Sequence, residues 1–219
     1  MCVDYVHNLY LCRTQEGYKD NITYIVNIIA VHNRFCYHII MIYLFASDIH
    51  GSAYFMHKLL NAYETSGASR LILLGDLLYH GPRNELPLEY NPKETYALLN
   101  SCKESIICVR GNCDSEVDQM VLDFPILSDY SSLFLEELEG RMIYLAHGHH
   151  TIPTVKKGDI IVSGHTHIPL AKEKDGIFYI NPGSVSIPKG GFPNSYCLYS
   201  EKTFSIRDFS GNELMKLTI

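Results

Sequence analysis

The sequence predicts an α/β fold in which two packed β-sheets are flanked by helices. Three observations predict it. Short apolar runs each stop at a metal-capable side chain, residues 42–109 alternate strand, helix and strand, and the second half alternates short strand-like runs with turns.

The first run, Leu44-Phe45-Ala46, leads into Ser47-Asp48-Ile49-His50-Gly51, so a carboxylate and an imidazole sit two residues apart where a buried strand ends. In extended backbone, residues i and i+2 point to the same side, which predicts that Asp48 and His50 converge on one ion at the rim of a sheet. Residues 53–66 place Phe55, Leu59, Leu60 and Tyr63 at helical spacings, and Gly67 supplies a C-terminal stop. The apolar run 70–74 then reads as a second buried strand. Strand, helix, strand at this spacing implies a parallel crossover, which sets Gly75-Asp76 beside Asp48 and His50 beyond the carboxyl ends of the strands.

The loop His80-Gly81-Pro82-Arg83-Asn84 and the Pro-punctuated stretch to Pro92 read as irregular and exposed. Pro92 opens a helix to about Cys102, which returns the chain to a third strand at 106–109. Asp114 is expected to cap a short helix through Val121. Further strands are expected at 132–138, 141–146, 159–163, 168–174, 177–180, 195–200, 203–208 and 213–217, with Asp175-Gly176 as a hairpin turn.

Size and composition narrow the function. At 219 residues, 47% hydrophobic and 19% charged, the chain is long enough for one well-buried core. Its net charge of −6 excludes a broad phosphate-backbone footprint, so no nucleic-acid partner is expected and an anionic substrate needs bound cations to receive it. Seven cysteines, an odd count without C-x-x-C spacing, read as reduced thiols in a cytoplasmic protein. No secretory signal is visible near Met1. Asn27, His32, Asn33, Arg34 and His38 break the apolar stretch 22–46 into pieces too short to span a bilayer, so no membrane association is expected.

The first forty residues differ from the rest. All nine prolines and fourteen of the fifteen glycines follow Met41, whereas three of the seven cysteines precede it. Residues 1–40 are therefore expected to be an N-terminal extension of no assigned function, upstream of a natural start at Met41, with residues 41–219 as the catalytic domain.

The metal-capable residues at the strand ends are Asp48, His50, Asp76, Asn112, His147, His165 and His167. Two carboxylates, one amide and four imidazoles without a thiolate suit Mn²⁺, Zn²⁺ or Fe, and argue against a closed structural zinc site. Seven ligands are too many for one ion with open positions but suffice for two if Asp76 bridges. Two cations about 3.5–4 Å apart activate a shared water and neutralise the oxygens of an in-line displacement at phosphorus, which points to phosphoester hydrolysis.

Asp48-x-His50, Gly75-Asp76, Gly111-Asn112-Cys113-Asp114, His147-Gly148-His149 and Gly164-His165-Thr166-His167 resemble, in order and spacing, the calcineurin-like metallophosphoesterase superfamily. His80-Gly81-Pro82-Arg83-Asn84, the run Arg110 through Met120, and Asn181-Pro182-Gly183-Ser184-Val185-Ser186-Ile187-Pro188-Lys189-Gly190-Gly191 resemble its bacterial YfcE-type phosphodiesterases. The resemblance runs from about Met41 to the C-terminus. It implies a four-layer αββα metallophosphoesterase sandwich of two mixed β-sheets flanked by helices. It also implies two divalent ions, Mn²⁺ foremost with Zn²⁺, Fe or Ni²⁺ as alternatives. Asp48, His50 and His167 would hold the first, Asn112, His147 and His165 the second, and Asp76 would bridge.

Asp76, Asn112, Asp114 and His149 are the candidate catalytic residues, Asp114 either as helix cap or as an orienter of ligands. His80, Arg83 and Cys113 are the candidate substrate contacts, while His150 is expected to be exposed and His7, His32, His38 and His57 receive no role. Many superfamily members carry His where this chain has Cys113, and a neutral thiol is a weak proton donor. Esters with good leaving groups, such as nitrophenolates, are therefore expected to be preferred, and His149, His80 or Arg83 is left to supply a donor. The expected activity is a metal-dependent phosphodiesterase acting on a small phosphodiester, as a monomer or a homo-oligomer. A phosphomonoesterase or nucleotidase of the same fold is the enzymatic alternative, and a non-catalytic Vps29-like scaffold the other. The filled ligand set favours the enzyme.

Overall fold

The computed structural model describes residues 41–150 and 155–219, and the predicted N-terminal extension, residues 1–40, lies outside them. Within the described residues, β1 (Tyr43–Ala46), β2 (Arg70–Leu73) and β3 (Ile106–Cys108) run parallel to one another. An antiparallel series, β9 (Ser195–Ser200), β10 (Thr203–Asp208) and β11 (Glu213–Thr218), extends that sheet to the order β11-β10-β9-β1-β2-β3. The second sheet contains β4 (Tyr130–Phe134), β5 (Met142–Ala146), β6 (Ile160–Ser163), β7 (Leu170–Lys174) and β8 (Ile177–Asn181), in the order β4-β5-β6-β8-β7. Strands β5, β6 and β8 are parallel, and β4 and β7 close the edges antiparallel. Two mixed sheets with helices are the predicted architecture.

The pleat explains why the parallel strands read as continuous apolar runs. Phe45, Ile72 and Val109 face the second sheet and pack with Leu145, Val162, Ile180 and Phe204. Leu44, Ala46, Leu71 and Leu73 face the other way, beneath Met56 and Leu59 of helix α1 (Ala53–Ser66) and Leu99 of helix α2 (Pro92–Ser101). A strand covered on both faces has no polar side to show. Met56 and Leu59 are fully buried, so truncating either to Ala costs about 2–5 kcal/mol.

Local chemistry sets the helix ends. Ser52 caps α1 by accepting from the Phe55 amide, and Gly67 ends it in the left-handed conformation that a side chain disfavours. Asn91 caps α2 by accepting from the Glu94 amide, with Pro92 in the first turn.

Several boundaries differ from expectation. β4 begins at Tyr130 because it pairs there with Ala146, and its end gives way to a 3₁₀ turn at Glu136–Leu138. β7 starts only at Leu170, after Pro169, which has no amide proton to give a ladder. The third helix, α3 (Glu116–Gln119), is a single turn capped by Ser115 and not by Asp114. Ser115 forms a reciprocal capping box with Asp118, which lies at the required spacing.

The ends of β1, β2, β3, β5 and β6 meet at one edge of the sandwich. The Asp48 amide donates to the Gly75 carbonyl at 3.1 Å, and the Gly164 amide to the His147 carbonyl at 2.9 Å. Between the sheets, the His165 amide donates to Asp48 Oδ2 at 3.0 Å.

Candidate metal centre and its surroundings

All seven expected strand-end residues come together at this edge. Asp48 Oδ1 lies 3.3 Å from His167 Nε2, 3.8 Å from His50 Nε2 and 3.9 Å from His147 Nε2. Asp76 Oδ2 stands between two imidazoles, 3.7 Å from His50 Nε2 and 3.4 Å from His147 Nε2. The other arm is completed by Asn112 Oδ1, 3.1 Å from His147 Nε2, and by His165 Nδ1, 3.2 Å from the same nitrogen. Asp48, His50 and His167 on one side, and Asp48, Asp76 and His147 on the other, have their donor atoms within 4.8 Å of one another.

The convergence has a different backbone origin from the one expected. Asp48 and His50 lie beyond the end of β1, and both are left-handed, with φ of 58° and 48°. Asp76, His165 and His167 share that conformation, at 56°, 66° and 60°. A tight turn, and not the alternation of a strand, aims these side chains. Left-handed backbone is disfavoured for residues with a Cβ by about 1–2 kcal/mol, and such strain gathers at functional sites.

The imidazoles are oriented from behind. The Nδ1 atoms of His50, His147 and His167 lie 2.7, 2.6 and 2.5 Å from the carbonyl oxygens of Tyr79, Leu74 and Ile187. A carbonyl only accepts, so each Nδ1 carries a proton and each Nε2 is left to face inward. The three Nε2 atoms face Asp48 Oδ1, a fully buried oxygen without a hydrogen-bond donor among the described residues. Converging acceptors of this kind are satisfied by a cation, and the donor set fits divalent ions.

The titration behaviour agrees. Burial alone would raise Asp48, but the imidazoles of His167 and His147 outweigh it and hold the carboxyl below its usual range. Burial likewise opposes the ionised form of Asp76, yet His147 and the Cys113 amide bring it down to about 2. For His147 burial disfavours the charge, but Asp76 and Asp48 win and raise it to about 9. Without an ion, a proton on His147 stands in the place of positive charge. His50 and His165 are lowered, chiefly by burial.

Two glycines make room for the ligands. A Cβ on Gly111 would lie 2.1 Å from Asp76 Oδ1, and one on Gly164 would lie 1.8 Å from Ser47 Oγ and 2.9 Å from Asp48 Oδ2. Asp114 is buried behind them and directs its carboxylate to backbone, accepting from Asp76 N at 2.8 Å, Gly111 N at 2.7 Å and Leu77 N at 2.9 Å. It thus orients the Asp76 turn instead of capping α3. Burial pushes its carboxyl up to about 6 despite these donors, so it is ionised at neutral pH.

The remaining candidates separate. Arg83 and Cys113 line a cavity of about 350 Å³ together with Asp76, Asn112, His165 and His167. The Cys113 amide donates to Asp76 Oδ1 at 2.8 Å, and burial, reinforced by the Asp76 carboxylate, pushes its thiol up to about 12. His149 is half-buried, its ring centroid 5.4 Å from that of His147, and its Nδ1 is buried without a partner. Neither His149 nor His80 is part of the cavity wall; the His80 ring packs edge-on between Tyr79 and Tyr90, and its Nδ1 is likewise buried without a partner. His150 is exposed, as expected.

Residues 181–184 read from the sequence as a segment that holds ligands in place through hydrogen bonds, whereas Ser186 and Lys189 were passed over. Ser184 and Ser186 each donate a hydroxyl to the Asp48 carbonyl, at 2.9 and 3.1 Å, and so brace the β1 turn. Lys189 lines the cavity, and its amide donates to the His167 carbonyl at 3.0 Å. Its position after Pro188, in the segment that also holds the two serines, was the available signal.

Known proteins are similar to this chain. Phosphodiesterase YfcE of Escherichia coli strain K12 is 46% identical over 167 residues, covering 74% of this chain and 89% of that protein. The solved structure of YfcE, described as a phosphoesterase from E. coli, superposes with a TM-score of 0.78 at 43% identity, over 82% of this chain and all of that one. Vacuolar Protein Sorting 29 from Cryptosporidium parvum shares the fold alone, with a TM-score of 0.56 at 18% identity over 82% of this chain and 99% of that one. The sequence profile of the calcineurin-like phosphoesterase superfamily domain matches residues 41–203. This chain, with its strand-end carboxylates and imidazoles gathered at one edge of a two-sheet sandwich, therefore belongs to the calcineurin-like phosphoesterase superfamily.

Proposed function

We propose that the protein is a metal-dependent phosphodiesterase. Asp48, His50 and His167 would hold one divalent ion, Asn112, His147 and His165 the other, and Asp76 would serve both. The observation that carries this reading is the buried meeting of acceptors: Asp48 Oδ1 without a donor, facing Nε2 atoms whose rings are locked by carbonyls behind them. Similarity to phosphodiesterase YfcE supports the reaction class.

When bound, two such ions supply Lewis acidity that makes a nucleophile of water at neutral pH and offsets the charge that develops on the phosphoryl oxygens. The residues do the rest. Asp114 holds the Asp76 turn in place through three amides, and Ser184 and Ser186 hold that of Asp48. The Cys113 thiol stays neutral and is a poor acid toward a departing alkoxide, which favours leaving groups that need no strong donor. His149 is the proton-handling candidate because its ring lies 5.4 Å from that of His147 and 6.2 Å from that of His165, whereas His80 is packed between tyrosines. Arg83 reaches the substrate as an anion contact.

Mn²⁺ is the ion of this reading, on the oxygen-and-imidazole donor set. The cytoplasm is its compartment, on the free state of Cys102, Cys108, Cys113 and Cys197. Among the described residues no helix is long and apolar enough to cross a membrane. Residues 41–219 form the catalytic domain, and residues 1–40 contribute nothing to the site. A chain restricted to residues 41–219 should keep fold and turnover, and loss of either would refute that boundary.

The test is hydrolysis of bis-nitrophenyl phosphate by the chelator-stripped protein and after Mn²⁺ is restored. Turnover that depends on Mn²⁺ and exceeds that of nitrophenyl phosphate is expected. Faster monoester cleavage would make the protein a phosphomonoesterase, and inactivity with every divalent metal would refute the enzyme.

A further inference from the structure

We infer that Lys189 and Arg83 form a second anion site beside the ligand cluster, and that this site selects phosphodiesters carrying a further phosphate group on the retained alcohol. The inference rests on the phosphodiesterase reading and adds to it a class of substrate.

Both cations line the cavity that also exposes Asp76, Asn112, His165 and His167. Both side chains are exposed, and neither has a hydrogen-bond or ion-pair partner among the described residues. Lack of a partner is not special to them, since Lys93, Lys172, Lys174 and Lys216 also have no hydrogen-bond or ion-pair partner among the described residues; what sets Arg83 and Lys189 apart is that both line the cavity of the candidate ligands. Two such cations in that cavity, in a chain of net charge −6, mark a place kept for an anion.

The base of Lys189 is held rigidly to the cluster. Its amide donates to the His167 carbonyl at 3.0 Å, while His167 Nδ1 donates back to the Ile187 carbonyl at 2.5 Å. Arg83 is presented by a closed turn, in which the Asn84 amide group donates to the His80 carbonyl at 2.8 Å and Gly81 lies against Cys113. Both cations therefore stand on hydrogen-bonded backbone while their side-chain ends have no partner among the described residues.

Charge balance says which anion. Two divalent ions against the carboxylates of Asp48, Asp76 and Asp114 would leave one positive charge. A singly charged nucleophile and the single charge of a diester outweigh it by one. Arg83 and Lys189 together add two, which leaves positive charge in excess unless the substrate brings a second anionic group. A cavity of about 350 Å³ leaves room for one beyond the scissile phosphate.

The test uses the full chain with Mn²⁺ and two diesters with the same nitrophenolate leaving group. In one, the retained alcohol is ethylene glycol; in the other, the distal hydroxyl of that glycol carries a phosphate. The phosphorylated diester should have a kcat/KM higher by about tenfold, mainly through KM, and the preference should fall with added salt. Lys189→Met and Arg83→Met should each bring the ratio of the two close to one, and Lys189→Arg should keep most of it. Calorimetric binding of a non-cleavable methylphosphonate pair should show the same ratio, and a Mn²⁺-dependent thermal shift checks that each variant retains its ligand cluster. Equal kcat/KM for the two diesters in the native protein, or an unchanged ratio in Lys189→Met, would overturn the inference. Absence of any diester turnover would instead overturn the phosphodiesterase reading, and the methylphosphonate pair would still decide the role of Lys189.

Discussion

Two cavities of this molecule are built on opposite rules. The larger, about 540 Å³, lies between α1 and strands β9, β10 and β11, and its Ser205, Arg207 and Glu213 form one hydrogen-bonded chain. Ser205 donates to Glu213 at 2.7 Å and receives Arg207 Nε at 3.0 Å. The left-handed residues nearby, Glu201 and Lys202, join β9 to β10, where a two-residue hairpin turn requires that conformation. The smaller cavity is lined by three left-handed candidate ligands, Asp76, His165 and His167, none of them in a hairpin turn, and Asp48, with its unsatisfied carboxylate oxygen, and His50 share that conformation beside them. Size is the poorer guide. Where local rules are broken together and the surroundings hold the breakage in place, function is the reason.

The contrast can be broken most severely at Asp76. Partners that merely support a metal ligand typically cost about 10–100-fold when removed, so Asp76→Asn should lower turnover by more than about a hundredfold. Retention of a tenth of native turnover would contradict the bridging role. Asp114→Asn is next. One amide oxygen replaces two carboxylate oxygens, the new NH₂ faces a backbone donor, and urea unfolding should show a loss of about 1–3 kcal/mol. Metal affinity should fall by about 10–100-fold in the same variant.

A smaller effect is expected from pH. His147, raised to about 9 in the metal-free protein, stabilises that form fully below its unfolded value of 6.5, and the contribution is lost as pH rises through 9. An incoming ion must displace the proton, so Mn²⁺ affinity measured calorimetrically should rise with pH by at most about tenfold per unit and level off near 9. A flat profile would show that the proton is not there. Smallest of all is Ser205→Ala in the larger cavity, expected to cost about 1 kcal/mol or less and to leave turnover unchanged.

Much of this was legible in the sequence because it is local. Asp48, Asp76, Asn112, His147, His165 and His167 are each announced by an apolar run that ends beside them. Ser52, Gly67 and Pro92 mark helix ends through their own chemistry. What escaped was decided at a distance. Asp114 and Ser115 are both good caps, and the choice fell to Ser115 because amides from Asp76, Leu77 and Gly111 converge on Asp114. Left-handed backbone at non-glycine ligands has no local signature, since the fold imposes it against intrinsic preference. Lys189 stands out only once the folded chain shows that it lines one cavity with Arg83 and the candidate ligands.

The most direct test of the central claim is anomalous diffraction from crystals of the protein grown with Mn²⁺. Two manganese peaks should appear at the sheet edge, with Asp48, His50 and His167 around one, Asn112, His147 and His165 around the other, and Asp76 touching both. A single peak, or peaks away from these side chains, would contradict it.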